Sequence, residues 1–66
     1  MEYTNSHMEH LIDEYIHSER NRKILKRRLI DGLCYEEIAS EFYLSEKQVK
    51  NIIYKNESIL FSKLEN

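Results

Sequence analysis

An all-helical fold is what this sequence predicts, and three observations predict it. Apolar residues recur three and four positions apart along most of the chain, the period of a helix with one buried face. The 66 residues include one Gly and no Pro, so the tight turns of a sheet lack their usual residues. Ser18 and Ser45 each stand just ahead of such an apolar pattern, where a helix N-cap belongs.

The stretch from 35 to 54, YEEIASEFYLSEKQVKNIIY, carries most of the information. Ile38, Ala39 and Phe42 form one stripe, Leu44 sits in a turn, and Val49, Ile52 and Ile53 restart the stripe on a second helix. Ser45 and Gln48 have the spacing of a capping box, in which each side chain bonds the other's backbone N–H. Ala39 is small where two short helices must cross closely. This is the layout of a helix-turn-helix, whose second helix enters the DNA major groove. Turning that helix by about 100° per residue puts Lys47, Lys50, Asn51 and Tyr54 opposite the buried stripe, with Gln48 and Lys55 on the flanks. Lys and Asn match guanine and adenine edges, and Lys and Tyr also reach phosphates. The plainer reading of the same face is a solvated polar surface.

Upstream, residues 1–5 are expected to fray, and Ser6-His7-Met8 allows a natural start at Met8. A first helix from Ser6 buries Met8, Leu11, Ile12, Tyr15 and Ile16 and turns Glu9, Asp13 and Glu14 to water. His7, His10 and Glu14 have a metal-compatible spacing, but nothing completes a site, so surface histidines are expected. Ser18 caps a second helix running to about Asp31, with Gly32 supplying the left-handed turn. Ile24, Leu25 and Leu29 face inward. Arg20, Lys23, Lys26 and Arg27 gather on the other side with Ile30, either as a solvated face or as a phosphate-contacting flank. Arg28 projects toward the core and needs an acid, for which Glu37 is the candidate. Leu33 packs inward. Cys34 takes the N-cap of the third helix, where a thiol is a poor acceptor, and no His or Asn pattern makes it catalytic.

After Tyr54, Lys55 to Ser58 is polar and Ile59, Leu60, Phe61 and Leu64 are apolar. The helix either continues through Asn56 or breaks there. The tail must bury Leu60 and Leu64 against the first helix or against a second copy, and the intramolecular contact is preferred. The chain is thus read as a single domain over 1–66, with an acidic helix (1–17), a helix-turn-helix core (18–54) and a C-terminal helix or extension (55–66). Residues 1–19 carry five acids and no Lys or Arg, whereas ten bases face seven acids from Arg20 onward, so the net −2 hides a basic working part. No apolar run could span a membrane, no signal-peptide core is present, and one cysteine fits a reducing compartment; the expected location is the cytoplasm.

With these residues in place, SERNRKILKRRLIDGLCYEEIASEFYLSEKQVKNIIYK resembles region four of bacterial sigma factors and the related response-regulator DNA-binding domain. The features that match are Ile24-Leu25, Arg28, Asp31-Gly32-Leu33, Glu37-Ile38-Ala39, Leu44-Ser45, Val49-Lys50 and Lys63-Leu64. The chain looks most like the short sigma-region-four-like proteins of Firmicute phages and mobile elements. That resemblance implies a domain of four to five helices, an Arg28–Glu37 pair and a groove-reading helix from Ser45. Two positions depart from the pattern: Tyr43 stands where Gly is usual and must tolerate a strained backbone or reshape the turn, and Cys34 stands where Ser is usual, so the third helix is less firmly capped.

The expected function is sequence-specific binding of double-stranded DNA in transcription regulation, without enzymatic activity or cofactor. Lys47, Gln48, Lys50, Asn51, Tyr54, Ser45 and Lys55 would lie at the groove, while Arg20, Lys23, Lys26, Arg27 and Tyr35 would orient the domain on the backbone. One unit reads few base pairs, so a homodimer on a two-fold site or recruitment by RNA polymerase is expected. The rival is a protein-interaction module, a region-four mimic that contacts polymerase or a repressor through its acidic first helix.

Overall fold

Each stripe in the sequence becomes a helix. The computed structural model describes residues 5–64 and contains α1 (Asn5–Tyr15), α2 (Glu19–Leu29), α3 (Tyr35–Phe42) and α4 (Glu46–Leu64), with no strand among the described residues. Residues 1–4 lie outside that range, and Asn5, expected to fray, opens α1 instead. The side chain of Leu64, expected to be buried, also lies outside the description. No helix among the described residues is long and apolar enough to cross a membrane.

A single hydrophobic cluster draws on all four helices. Ile12 and Ile16 come from the α1 region, Ile24 and Leu25 from α2, Ile38 and Ala39 from α3, and Val49, Ile53 and Leu60 from α4. Met8, Leu11, Tyr15, Leu29, Leu33, Phe42 and Ile52 pack around it, half-buried. α2 and α4 each touch all of the other helices. At about 1.5 Å per residue the 19 residues of α4 run ~28 Å, most of the molecule's 33 Å long axis.

The N-terminal helix is tied down by charge as well as by its stripe. Lys26 Nζ of α2 lies 2.8 Å from Asp13 and 3.8 Å from Glu9, so these two acids face a cation rather than only water. The hydrogen bond from Lys26 holds the Asp13 carboxyl below its ordinary value of 3.8. A carboxyl depressed in this way contributes stability above its unfolded value, and that contribution is lost as pH falls from 3.8 through the lower folded value. Thermal melts below pH 4 should therefore lose a component that Asp13→Asn lacks at every pH. Identical acid profiles for the two proteins would contradict the linkage.

Ser18 caps α2 as expected, its Oγ accepting from the Asn21 N–H at 3.3 Å. The helix stops at Leu29, earlier than Asp31, because the Ile30 and Asp31 N–H groups both bond the Lys26 carbonyl. The Leu33 N–H then reaches the Arg27 carbonyl at 3.0 Å, and Gly32 takes the left-handed φ of +74°. That early turn swings Ile30, expected among the outward bases, against the core.

The Arg28–Glu37 pair does not form. Arg28 Nη1 donates to the Leu33 carbonyl at 3.1 Å, and its guanidinium lies 4.6 Å from the centre of the Tyr35 ring. Glu37 instead turns back along its own helix and accepts from the Cys34 thiol at 3.1 Å. Two nearer partners meet the guanidinium without a carboxylate. Cys34 is the weak cap anticipated, with no side-chain capping bond to α3.

Between α3 and α4 runs the three-residue turn Tyr43-Leu44-Ser45. Tyr43 adopts φ 57°, ψ 42°, the left-handed conformation, and its side chain is 95% exposed. Its N–H and that of Leu44 both bond the Ala39 carbonyl, which closes α3. Because this ring packs on little, Tyr43→Gly should relieve backbone strain and stabilise the fold by about 0.5–1 kcal/mol. A chemical-denaturation midpoint that falls instead would contradict this. Across the turn, Gln48 Oε1 accepts from the Ser45 N–H at 2.9 Å while Ser45 Oγ accepts from the Gln48 N–H at 3.1 Å, the reciprocal capping box.

From that cap α4 is unbroken through Asn56, which settles the open alternative. Asn56 is only 7% exposed and stays in the helix, its buried amide satisfied by donation from Nδ2 to the Ile52 carbonyl at 2.7 Å. The second half of the helix thereby delivers Leu60 to the core beside α1, and Lys63 Nζ stands 5.7 Å from the Tyr15 ring centre. Ile59 and Phe61 remain partly exposed, at 39% and 44%.

Candidate nucleic-acid interface

The first half of α4 presents two chemically opposite faces. Val49 and Ile53 are completely buried, whereas Lys47, Lys50, Asn51, Tyr54 and Lys55 are all exposed. Among the described residues Lys47, Asn51 and Lys55 make no ion pair or side-chain hydrogen bond, so their donors and acceptors are open to a ligand. Ser45 and Gln48 are exposed too, but the capping box occupies Ser45 Oγ and Gln48 Oε1, which leaves mainly the Gln48 amide nitrogen for a further contact. Their first duty is to aim the helix.

Tyr35, at the start of α3, belongs to the same surface in a way the sequence does not reveal. Its ring meets that of Tyr54 edge-to-face, with centroids 6.4 Å apart and planes at 79°. Lys50 Nζ lies 5.5 Å from its centre and the Arg28 guanidinium 4.6 Å. The neighbouring Tyr54 hydroxyl, then burial, holds the Tyr35 phenol above its ordinary value of 10.0, so the ring is neutral across the physiological range. Three helices thus contribute to one aromatic and cationic cluster. Arg28 was assigned to a buried ion pair by sequence reasoning; its place under this surface depends on a ring contact between α2 and α3, for which spacing along the chain carries no signal.

The basic run of α2, open to reading as a solvated face or a phosphate-contacting flank, is partly engaged within the fold. Lys26 is enclosed between Glu9 and Asp13 of α1. Arg27 donates from Nη1 to Asp31 at 3.0 Å and from Nε to both Glu41 oxygens, at 3.1 and 3.2 Å. These carboxylates raise its pKa still further. Lys23 pairs with Glu19 at 3.8 Å, and Arg20 Nε bonds Asn21 Oδ1 at 3.3 Å. Arg22 bonds the Ile16 carbonyl and so fastens the α1–α2 connection. Lys23, Lys26 and Arg27 thus face carboxylates, whereas Arg20 and Arg22 bond only neutral acceptors. Glu36 and Glu37 are exposed at the first turn of α3, where carboxylates suit the helix dipole but repel phosphate.

His7 and His10 of α1 stand exposed on the surface. His10 Nε2 stands 3.6 Å from Glu14, and among the described residues no group of three His, Cys, Asp or Glu could hold a metal ion. An open depression of about 290 Å³ lies over Ser6, Glu9, His10 and Asp13. No protein-family model, curated protein or solved structure matches the chain.

Proposed function

We propose that the chain is a sequence-specific DNA-binding regulator of transcription, of the sigma-region-four-like kind found in phages and mobile elements. The observation that carries the reading is the exposed donor set on α4. Lys47, Lys50, Asn51 and Tyr54 stand exposed on the first turns of a helix whose opposite side is buried. The three-residue turn and capping box that aim this helix support it. In this reading α4 enters the major groove from its N-terminal end, Asn51 and the lysines meet base edges, and Tyr35 and Lys55 lie toward the backbone.

Lys26 and Arg27, held by carboxylates, add less to non-specific affinity than their charge suggests, so base contacts carry a larger share of binding. One such unit reads only a few base pairs. A second copy on a two-fold site, or RNA polymerase alongside, supplies the rest.

Selection of bound duplexes from a random pool at two salt concentrations tests the proposal. A recovered consensus, with affinity that falls as salt rises, is the expected result. Capture of polymerase by a protein that selects no sequence would favour the rival interaction module instead. Light scattering over a concentration range, with and without the selected duplex, distinguishes the dimeric from the monomeric version.

A further inference from the structure

We infer that Tyr35 is a positioning residue for the reading face: its ring sets where the Lys50 ammonium and the Tyr54 ring stand, and so which base-pair step Lys50 meets. This rests on the DNA-binding reading and names the device that gives it precision.

An exposed lysine on a helix ordinarily samples many rotamers, and each unrestrained rotamer presents its charge to a different base edge. Lys50 has no carboxylate partner among the described residues, although Glu46 stands one turn before it. Its Nζ instead lies 5.5 Å from the Tyr35 ring centre, within the range at which a cation is attracted to an aromatic face. The ring is itself anchored from two sides. Arg28, fixed by its hydrogen bond to the Leu33 carbonyl, holds it from α2 at 4.6 Å, and Tyr54 meets it edge-to-face from α4 at 6.4 Å. The chain of contacts therefore runs from the end of α2 through the first turn of α3 to the exposed side of α4. A leucine of similar bulk would fill the space at position 35 but lacks the ring quadrupole that attracts both cations.

Two measurements on the full chain test this. In NMR spectra without DNA, the Lys50 side-chain methylene protons should be shifted upfield by the Tyr35 ring. The shift should vanish in Tyr35→Leu and persist in Tyr35→Phe, which keeps the ring. With selected duplexes, Tyr35→Leu should lower discrimination at one base-pair position by about two- to fivefold, the size of an exposed cation–π contact. Tyr35→Phe should keep that preference. Unshifted Lys50 protons in the wild type would overturn the inference without any variant having to fold. Equal weakening on every duplex by Tyr35→Leu, with preference intact, would reduce Tyr35 to a structural role and overturn it too. A wild type that prefers no sequence while its Lys50 protons remain shifted would sink the DNA-binding reading rather than the placement of Lys50.

Discussion

A chain beginning at Ser18 should melt far below the full protein, or not fold cooperatively at all. Removing the preceding residues takes away Ile12, which is 0% exposed, and Ile16, at 2%, from the cluster they share with Leu25 and Leu60. Each buried isoleucine is worth about 1.5–3 kcal/mol, so the two together contribute about 3–6 kcal/mol. A domain this small commonly has little more than that in total. The cation at Lys26 would also lose both of its carboxylate partners. Circular-dichroism melts of the two chains measure the difference. An unchanged melting temperature would mean that α1 is not part of the folded unit, and would return it to the role of a partner-binding helix.

On DNA, the largest single effect is expected at Asn51. Asn51→Ala should cost about 1–3 kcal/mol on a selected site and almost nothing on random duplex, the mark of a base contact. Lys47→Ala should likewise weaken the selected site more than random duplex. Lys26→Ala is the informative contrast. Sequence spacing leaves it either a solvated cation or a phosphate contact, whose loss would flatten the dependence of log affinity on log salt by about one unit, but its ammonium is already neutralised by Asp13 and Glu9. Its removal should therefore leave the salt slope nearly unchanged and lower the melting temperature instead. Fluorescence anisotropy titrations at several salt concentrations, beside melts of the same variants, separate these outcomes. Equal losses for Asn51→Ala on every duplex would refute base readout at that position.

These contrasts follow the line between what the chain dictates locally and what its folding adds. The helices, their inward stripes and their caps were legible in the sequence, because each depends on residues within one or two turns. Ser18 and Ser45 bond N–H groups three residues on, and Ile24, Val49 and Ile53 fall on one face by helical period alone. Tyr43 was legible only in part: standing where Gly is usual, it left either a strained backbone or a reshaped turn, and the structure takes the left-handed backbone.

The destinations of the charged side chains were not. Long flexible arms choose among every partner that the packed helices bring within reach, and that choice is invisible until the helices are placed. Arg28 found a carbonyl and an aromatic ring in place of Glu37, Lys26 turned under α1, and Arg27 divided itself between Asp31 and Glu41. Asn56 could equally have ended the helix, and the core contact of Leu60 beyond it is what makes continuation favourable. The sequence by itself determined an all-helical chain, the faces its helices bury and the side chains that α4 exposes. Only the tertiary structure decided which cations remain available on the surface and that Tyr35 joins three helices, because both depend on distances between elements far apart in the chain.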